Sequence, residues 1–199
     1  MKNHFKTLFI QLLVLVSTLL NNEIYAQTIY QVANSKDFTM KLSGTSTFHD
    51  WNMNATNFEI EGKFNFEEDG SKIQSITGLS FILPVKNLKG DKKKMDESAY
   101  KALKADKHKD IIFKMTTSNV KYKQNNKYEI TILGNLNIAG VTKAITMNVL
   151  CILNSDKTIT CSGSKKLKMT DYQVNPPTFL GLMKTGNEIT LDFTFQLKS

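Results

Sequence analysis

Few side chains in this sequence have the types and spacing that chemistry requires. His49 is followed by Asp50, a pairing in which a carboxylate could orient an imidazole as a general base. No serine or cysteine nucleophile motif accompanies it, and adjacent residues of an extended strand point to opposite faces. The pair therefore reads as structural, with Phe48 and Trp51 packing nearby. The remaining histidines, His4 and His108, have no partners at ligand spacing, so no metal site is expected. Neither a phosphate-cradling glycine loop nor a dinucleotide fingerprint is present. No catalytic residue is assigned, no cofactor is expected, and a binding protein is favoured over an enzyme. The two cysteines, Cys151 and Cys161, flank a turn at Asn154–Lys157. A hairpin centred on Asp156 would set them opposite one another, and a slip of one residue would put them on different faces. In an oxidising compartment such a pair closes into a disulfide.

The elements around these residues are nearly all strands. From Tyr128 to Leu153 the chain reads as a long hairpin turning at Ala139-Gly140. Tyr128, Ile130, Ile132, Gly134, Leu136 and Ile138 alternate with Glu129, Thr131, Asn135 and Asn137, the period of a strand with one buried face. Ile145, Met147, Val149, Cys151 and Leu153 continue the pattern on the return, and Gly140 supplies the turn's backbone freedom. Phe58, Ile60, Gly62, Phe64 and Phe66 form another in-phase face. So do Leu79, Phe81, Leu83 and Val85, and near the end Ile189, Leu191, Phe193, Phe195 and Leu197. One segment departs from this. After Asp91, a possible N-cap, Met95, Ala99, Ala102 and Leu103 fall at helical spacing, with Lys92-Lys93-Lys94 at the start. An apolar, proline-stiffened loop, Pro176 to Lys184, precedes the last strand. The expected architecture is all-β, an antiparallel meander closed into a barrel of about eight strands with one inserted helix.

Met1 to Ala26 has the pattern of a secretory signal peptide, with Lys2 and Lys6 ahead of an apolar run from Leu8 to Leu20 and the small residue Ala26 at the cut. That run is shorter than the ~20 residues a bilayer span needs. Residues 27–199 would form one domain in the periplasm or outside the cell. The formal charge is +8, and every basic residue is lysine. Without the guanidinium that reads phosphates and bases in pairs of bonds, nucleic acid is not an expected partner. An anionic membrane surface is compatible with the charge.

Several segments together resemble a known family. Gly134-Asn-Leu-Asn-Ile-Ala-Gly-Val-Thr-Lys143 matches the G-x-L-x-I-x-G-V-T-K signature of the YceI-like lipid/polyisoprenoid-binding family, and Ala102–Ala105 with His108–Lys114 resembles its helix-to-strand segment. Gly44-Thr-Ser-Thr-Phe-His-Asp-Trp51 and Met183 to Phe193 are similar to a subgroup with a G-T-S-x-x-H-D-W opening. Where many relatives carry an Arg-Asp pair before the helix, this chain has Gly90-Asp91-Lys92. The resemblance implies a lipocalin-like barrel whose lumen holds an isoprenoid or other long-chain lipid. The expected lumen residues are Phe58, Ile60, Phe64, Leu79, Phe81, Leu83, Ile130, Ile132, Leu136, Phe193 and Phe195. Met95, Tyr100, Leu103, Phe179, Leu182 and Met183 are expected at the mouth, where flexible methionines suit an adaptable opening. Gly62, Gly134 and Gly163 fit either barrel corners or room for a chain, and the resemblance favours room. Two other classes stay open: an exported hydrolase using His49, and an envelope interaction protein with a filled core.

Overall fold

The computed structural model describes residues 27–32, 37–179 and 183–199. The expected signal segment lies outside them, as do Leu182 and the side chains of Phe179 and Met183.

Alternation builds the wall. In β8 (Lys127–Ile138) every second residue from Tyr128 to Ile138 is buried while Glu129, Thr131, Leu133 and Asn135 face out. β8 pairs along its whole length with β9 (Val141–Leu153). The two are joined by Ala139 and Gly140 alone, both at positive φ (52° and 85°), as the two central residues of a tight I′ hairpin turn must be. On its other side β8 pairs with β7 (Asp110–Tyr122), interrupted by a bulge at Thr116. The sheet continues from β7 to β5 (Ile73–Pro84), β4 (Glu59–Phe66) and β1 (Gln27–Gln31), and from β9 to β10 (Ile159–Lys168), β12 (Met183–Leu197), β2 (Phe38–Ser46), β3 (Trp51–Ala55) and the two-residue β6 (Leu88–Lys89). All pairings are antiparallel, and β11 (Thr178–Phe179) pairs with β12 off this path.

Such a sheet twists and curls until its ends approach. Gln31 and Lys198 exchange two backbone hydrogen bonds of 2.8 Å, joining β1 to the end of β12. Among the described residues the hydrogen-bonded path holds eleven strands, not the eight or so expected. The additional ones are short: β3 alternates Asn52 and Asn54 with its buried residues, and asparagine is a poor strand former.

The helix, α1, spans Lys93–Ala102 and starts later than expected, with Lys92 in the N-cap position and no side-chain cap. Asp91 does not cap it. Instead Asp96, in the first turn, reaches back to accept a 2.7 Å hydrogen bond from Gly90 N–H and lies 3.8 Å from Lys89. A carboxylate near the helix start also suits the dipole there.

Candidate functional site

Strand register puts one set of side chains on the inside. Met40, Phe193, Gly163 and Val149 lie side by side across β2, β12, β10 and β9. Ile60, Phe81, Phe113 and Leu136 do the same across β4, β5, β7 and β8. Between these faces is a cavity of about 110 Å³ whose wall, among the described residues, exposes only apolar atoms. That is room for roughly eight to ten water centres, in a place where water would find no hydrogen-bonding partners.

The two ends of this lumen differ. At one end Tyr30, Phe64, Tyr128, Cys151, Ile159 and Leu197 are almost wholly buried. Ile73 N–H donates to the Tyr128 hydroxyl (3.1 Å), and the Tyr30 hydroxyl donates to the Lys157 carbonyl (3.0 Å). Burial raises both phenols above their ordinary pKa, and the bond from Ile73 offsets part of the rise at Tyr128. Cys151 and Cys161 sit opposite in the β9–β10 register, Cα atoms 4.2 Å apart, and are joined by a disulfide. At the other end Leu42, Ile145, Met147, Leu167, Ile189 and Leu191 line the cavity yet remain half-buried. Apolar side chains that face inward without being covered mark an opening.

The pattern of the YceI-like domain matches residues 29–197. This chain belongs to the YceI-like family. No curated protein matches it. Among solved structures, BcnA of Burkholderia cenocepacia superposes with a TM-score of 0.65 at 14% identity, covering 83% of this chain and 99% of that one. A polyisoprenoid binding domain from Saccharophagus degradans, implicated in plant cell wall breakdown, gives 0.64 at 8% identity, over 85% and 98%. The Campylobacter jejuni YceI protein gives 0.52 at 20% identity, over 72% and 84%. At these identities the likeness is one of fold.

Within this YceI-like barrel, nine of the residues expected in the lumen line the cavity: Ile60, Phe64, Leu79, Phe81, Leu83, Ile132, Leu136, Phe193 and Phe195. Ile130 is buried nearer the closed end, outside the cavity wall. Phe58 lies just ahead of β4 and packs against Phe38 and Phe81, ring centroids 4.2 and 5.2 Å away. Of the residues expected at the mouth, Met95, Tyr100 and Leu103 do not touch the cavity. The Tyr100 hydroxyl bonds the carbonyls of Lys86 (2.9 Å) and Leu88 (2.8 Å), and Met95 lies over Gly90. These contacts pin α1 to the β6 edge.

The inner-face glycines have a clear reason. A Cβ at Gly62, Gly134 or Gly163 would overlap the ring of Phe64, Phe113 or Phe193 respectively. The room each glycine makes is taken by a phenylalanine ring lying over the backbone, so these rings thicken the wall and intrude less on the lumen.

His49 and Asp50 lie in the connection between β2 and β3, not in a strand, and both are exposed. The Ser46 hydroxyl is 3.3 Å from His49 Nδ1 but donates to the His49 carbonyl at 2.6 Å, the geometry of a turn. Phe48 does not pack there; it is 72% exposed. Trp51 does pack, its ring over Gly44 and its indole N–H donating to the Thr45 carbonyl (3.1 Å).

Sequence periodicity missed much of the lining, notably Met40, Ile76, Ile111, Phe113, Ile145, Met147, Leu167 and Ile189. Several of these alternate in their own strands. Nothing local marks which alternating face meets a cavity and which meets packed core.

Proposed function

We propose that this protein is an exported carrier that holds a long-chain isoprenoid or related lipid in its barrel, with no catalytic step. The observation that carries the reading is the apolar cavity with an uncovered end. An empty apolar void of this volume costs a fold about 3 kcal/mol in lost contacts. Side chains one or two methylenes larger would fill it. A cavity retained at that cost is best explained by a guest. Each methylene transferred from water contributes about 0.8 kcal/mol, so a few isoprene units inside the barrel would outweigh the cost of ordering the chain. A longer tail would continue through the open end. Membership of the YceI-like family and the likeness to a polyisoprenoid binding domain support the same class of ligand. Export rests on the pattern of Met1–Ala26 and is consistent with the Cys151–Cys161 disulfide.

Mass spectrometry of an organic extract of the purified protein tests this reading. One long-chain lipid at near-equimolar amount is the expected result. Absence of lipid, together with no uptake of added isoprenoid, would instead favour an interaction protein that binds through its surface. Hydrolysis of a lipid ester that disappears in His49→Ala would favour the hydrolase.

A further inference from the structure

The inner face of the barrel is apolar except at its open end. Following the register from strand to strand, the charged residues on inner-face positions among the described residues are Lys143 and Lys165. Lys143 pairs with Leu136 and Lys165 with Leu191, both of which line the cavity. Acidic neighbours lie on the other face: Glu188 pairs with Lys166 at 3.1 Å, and Asp192 is exposed. Among the described residues no carboxylate is within ion-pair distance of Lys143 or Lys165.

The backbone around Lys165 is also unusual. β9 and β10 are paired from Leu153/Ile159 only as far as Val149/Gly163, after which their ladder stops. The two strands run on as far as Val141 and Lys168 without pairing with each other. Lys165 is the first inner-face residue of β10 past that point. Its aliphatic stem lies along the cavity wall while its ammonium donates a 2.8 Å hydrogen bond to the Thr146 carbonyl of β9. One of three ammonium protons is thereby used, and two are left to donate.

We propose that Lys165, with Lys143 beside the same opening, binds the anionic headgroup, phosphate or carboxylate, of the lipid whose chain occupies the cavity. This rests on the carrier reading above and adds a headgroup class to it. A neutral lipid would gain nothing from a cation where leucine or isoleucine would extend the apolar wall. An acidic headgroup gains charge-assisted hydrogen bonds at the rim, where its tail enters.

The test is a set of titrations by calorimetry with delipidated protein and three ligands: geranylgeranyl phosphate, geranylgeraniol and palmitate. The parent protein should bind the phosphate about tenfold more tightly than the alcohol, the size of effect expected from one or two charge-assisted bonds. Lys165→Met, which keeps the stem, should bring the phosphate down to the level of the alcohol and leave the alcohol unchanged. Lys165→Arg should restore the preference. Comparison with palmitate tells phosphate from carboxylate recognition. Melting curves on each variant confirm that it is folded. Equal affinity for phosphate and alcohol in the parent with palmitate binding unaffected by Lys165→Met, or a phosphate preference that survives Lys165→Met, overturns the headgroup site while leaving the carrier reading intact. If none of the three binds, the carrier reading fails and the headgroup site with it.

Discussion

The two ends of the barrel are made from the same strands and yet differ in almost every physical respect. At the closed end Tyr128 is 0% exposed and Leu197 1%. Hydroxyls there are matched to backbone groups, a disulfide ties β9 to β10, and Lys157 reaches the Gly70 carbonyl across the turns (3.0 Å). At the open end, inward-facing Ile145, Met147 and Leu191 keep part of their surface bare, and the β9–β10 ladder has stopped. The alternation that covers an inward-facing side chain at one end leaves it partly bare at the other. The stabilising contacts are therefore concentrated where the barrel is covered, and the proposed entry for a guest lies where it is open.

Substitutions of equal size at the two ends test that separation most strongly. Ile159→Ala at the closed end, a fully buried position outside the cavity wall, should cost about 3 kcal/mol, because packed surroundings cannot collapse onto the lost volume. That corresponds to a fall in melting temperature of roughly 6–12 °C. Leu191→Ala, which enlarges an existing void, should cost about 1 kcal/mol and change lipid uptake more than it changes melting. Chemical denaturation of both variants provides the comparison, and similar losses would mean that the open end is no looser than the closed one.

The disulfide is the next largest lever. Replacing Cys151 and Cys161 together by alanine should destabilise the protein by about 2–3 kcal/mol, the entropy released to an unfolded chain no longer closed into a short loop. Lipid uptake by the folded fraction should persist, since alanine at these two positions leaves the cavity wall they belong to apolar.

Acid should act on the same end, with a smaller effect. Hydrogen bonds from Ser71 hold Asp69, and those from Thr158 hold Asp156, below the ordinary carboxylate pKa. The folded state thus favours both groups ionised. Their contribution is present above the usual carboxylate range and is lost as pH falls through it. Melting temperature should decline below about pH 4, and less steeply in Asp156→Asn. An identical acid profile in that variant would remove Asp156 from the account.

The smallest expected effect is at Tyr172, whose buried hydroxyl has no partner among the described residues. Burial pushes its pKa up to about 12. The folded state therefore favours the neutral phenol, and stability should fall as pH rises from about 10 toward 12. Tyr172→Phe should remove that sensitivity and, at neutral pH, be neutral or stabilising by up to ~1 kcal/mol. A marked loss of stability would show that the hydroxyl is bonded.

Much of the barrel was legible in the chain because a strand announces its buried face locally. Tyr128 to Ile138 is the clearest case, six alternating positions that are all buried. The lumen was less legible because it depends on neighbours far apart in sequence. Met40 meets Phe193 across the β2–β12 pairing, and Phe113 covers Gly134 of the next strand. Neither contact is encoded in a local period. The helix misled for a related reason. Its helical spacing is legible, but the sequence puts Met95, Tyr100 and Leu103 at the mouth, whereas Tyr100 reaches the carbonyls of Lys86 and Leu88 and holds the helix to the sheet edge. Phe58 was in phase with its strand but stands just outside it, where Phe38 and Phe81 enclose it.

The central claim is that the hollow part of this barrel is a lipid site, and filling it tests that most directly. Ile132 is 4% exposed and lines the cavity, so Ile132→Trp would place an indole in the lumen without cutting a hole. Native mass spectrometry of the parent and the variant after exposure to the same isoprenoid, with a melting curve for each, gives the answer. A one-to-one lipid complex of the parent and a folded variant with lipid occupancy reduced severalfold are the expected results. An unchanged lipid load in a folded Ile132→Trp protein would contradict it.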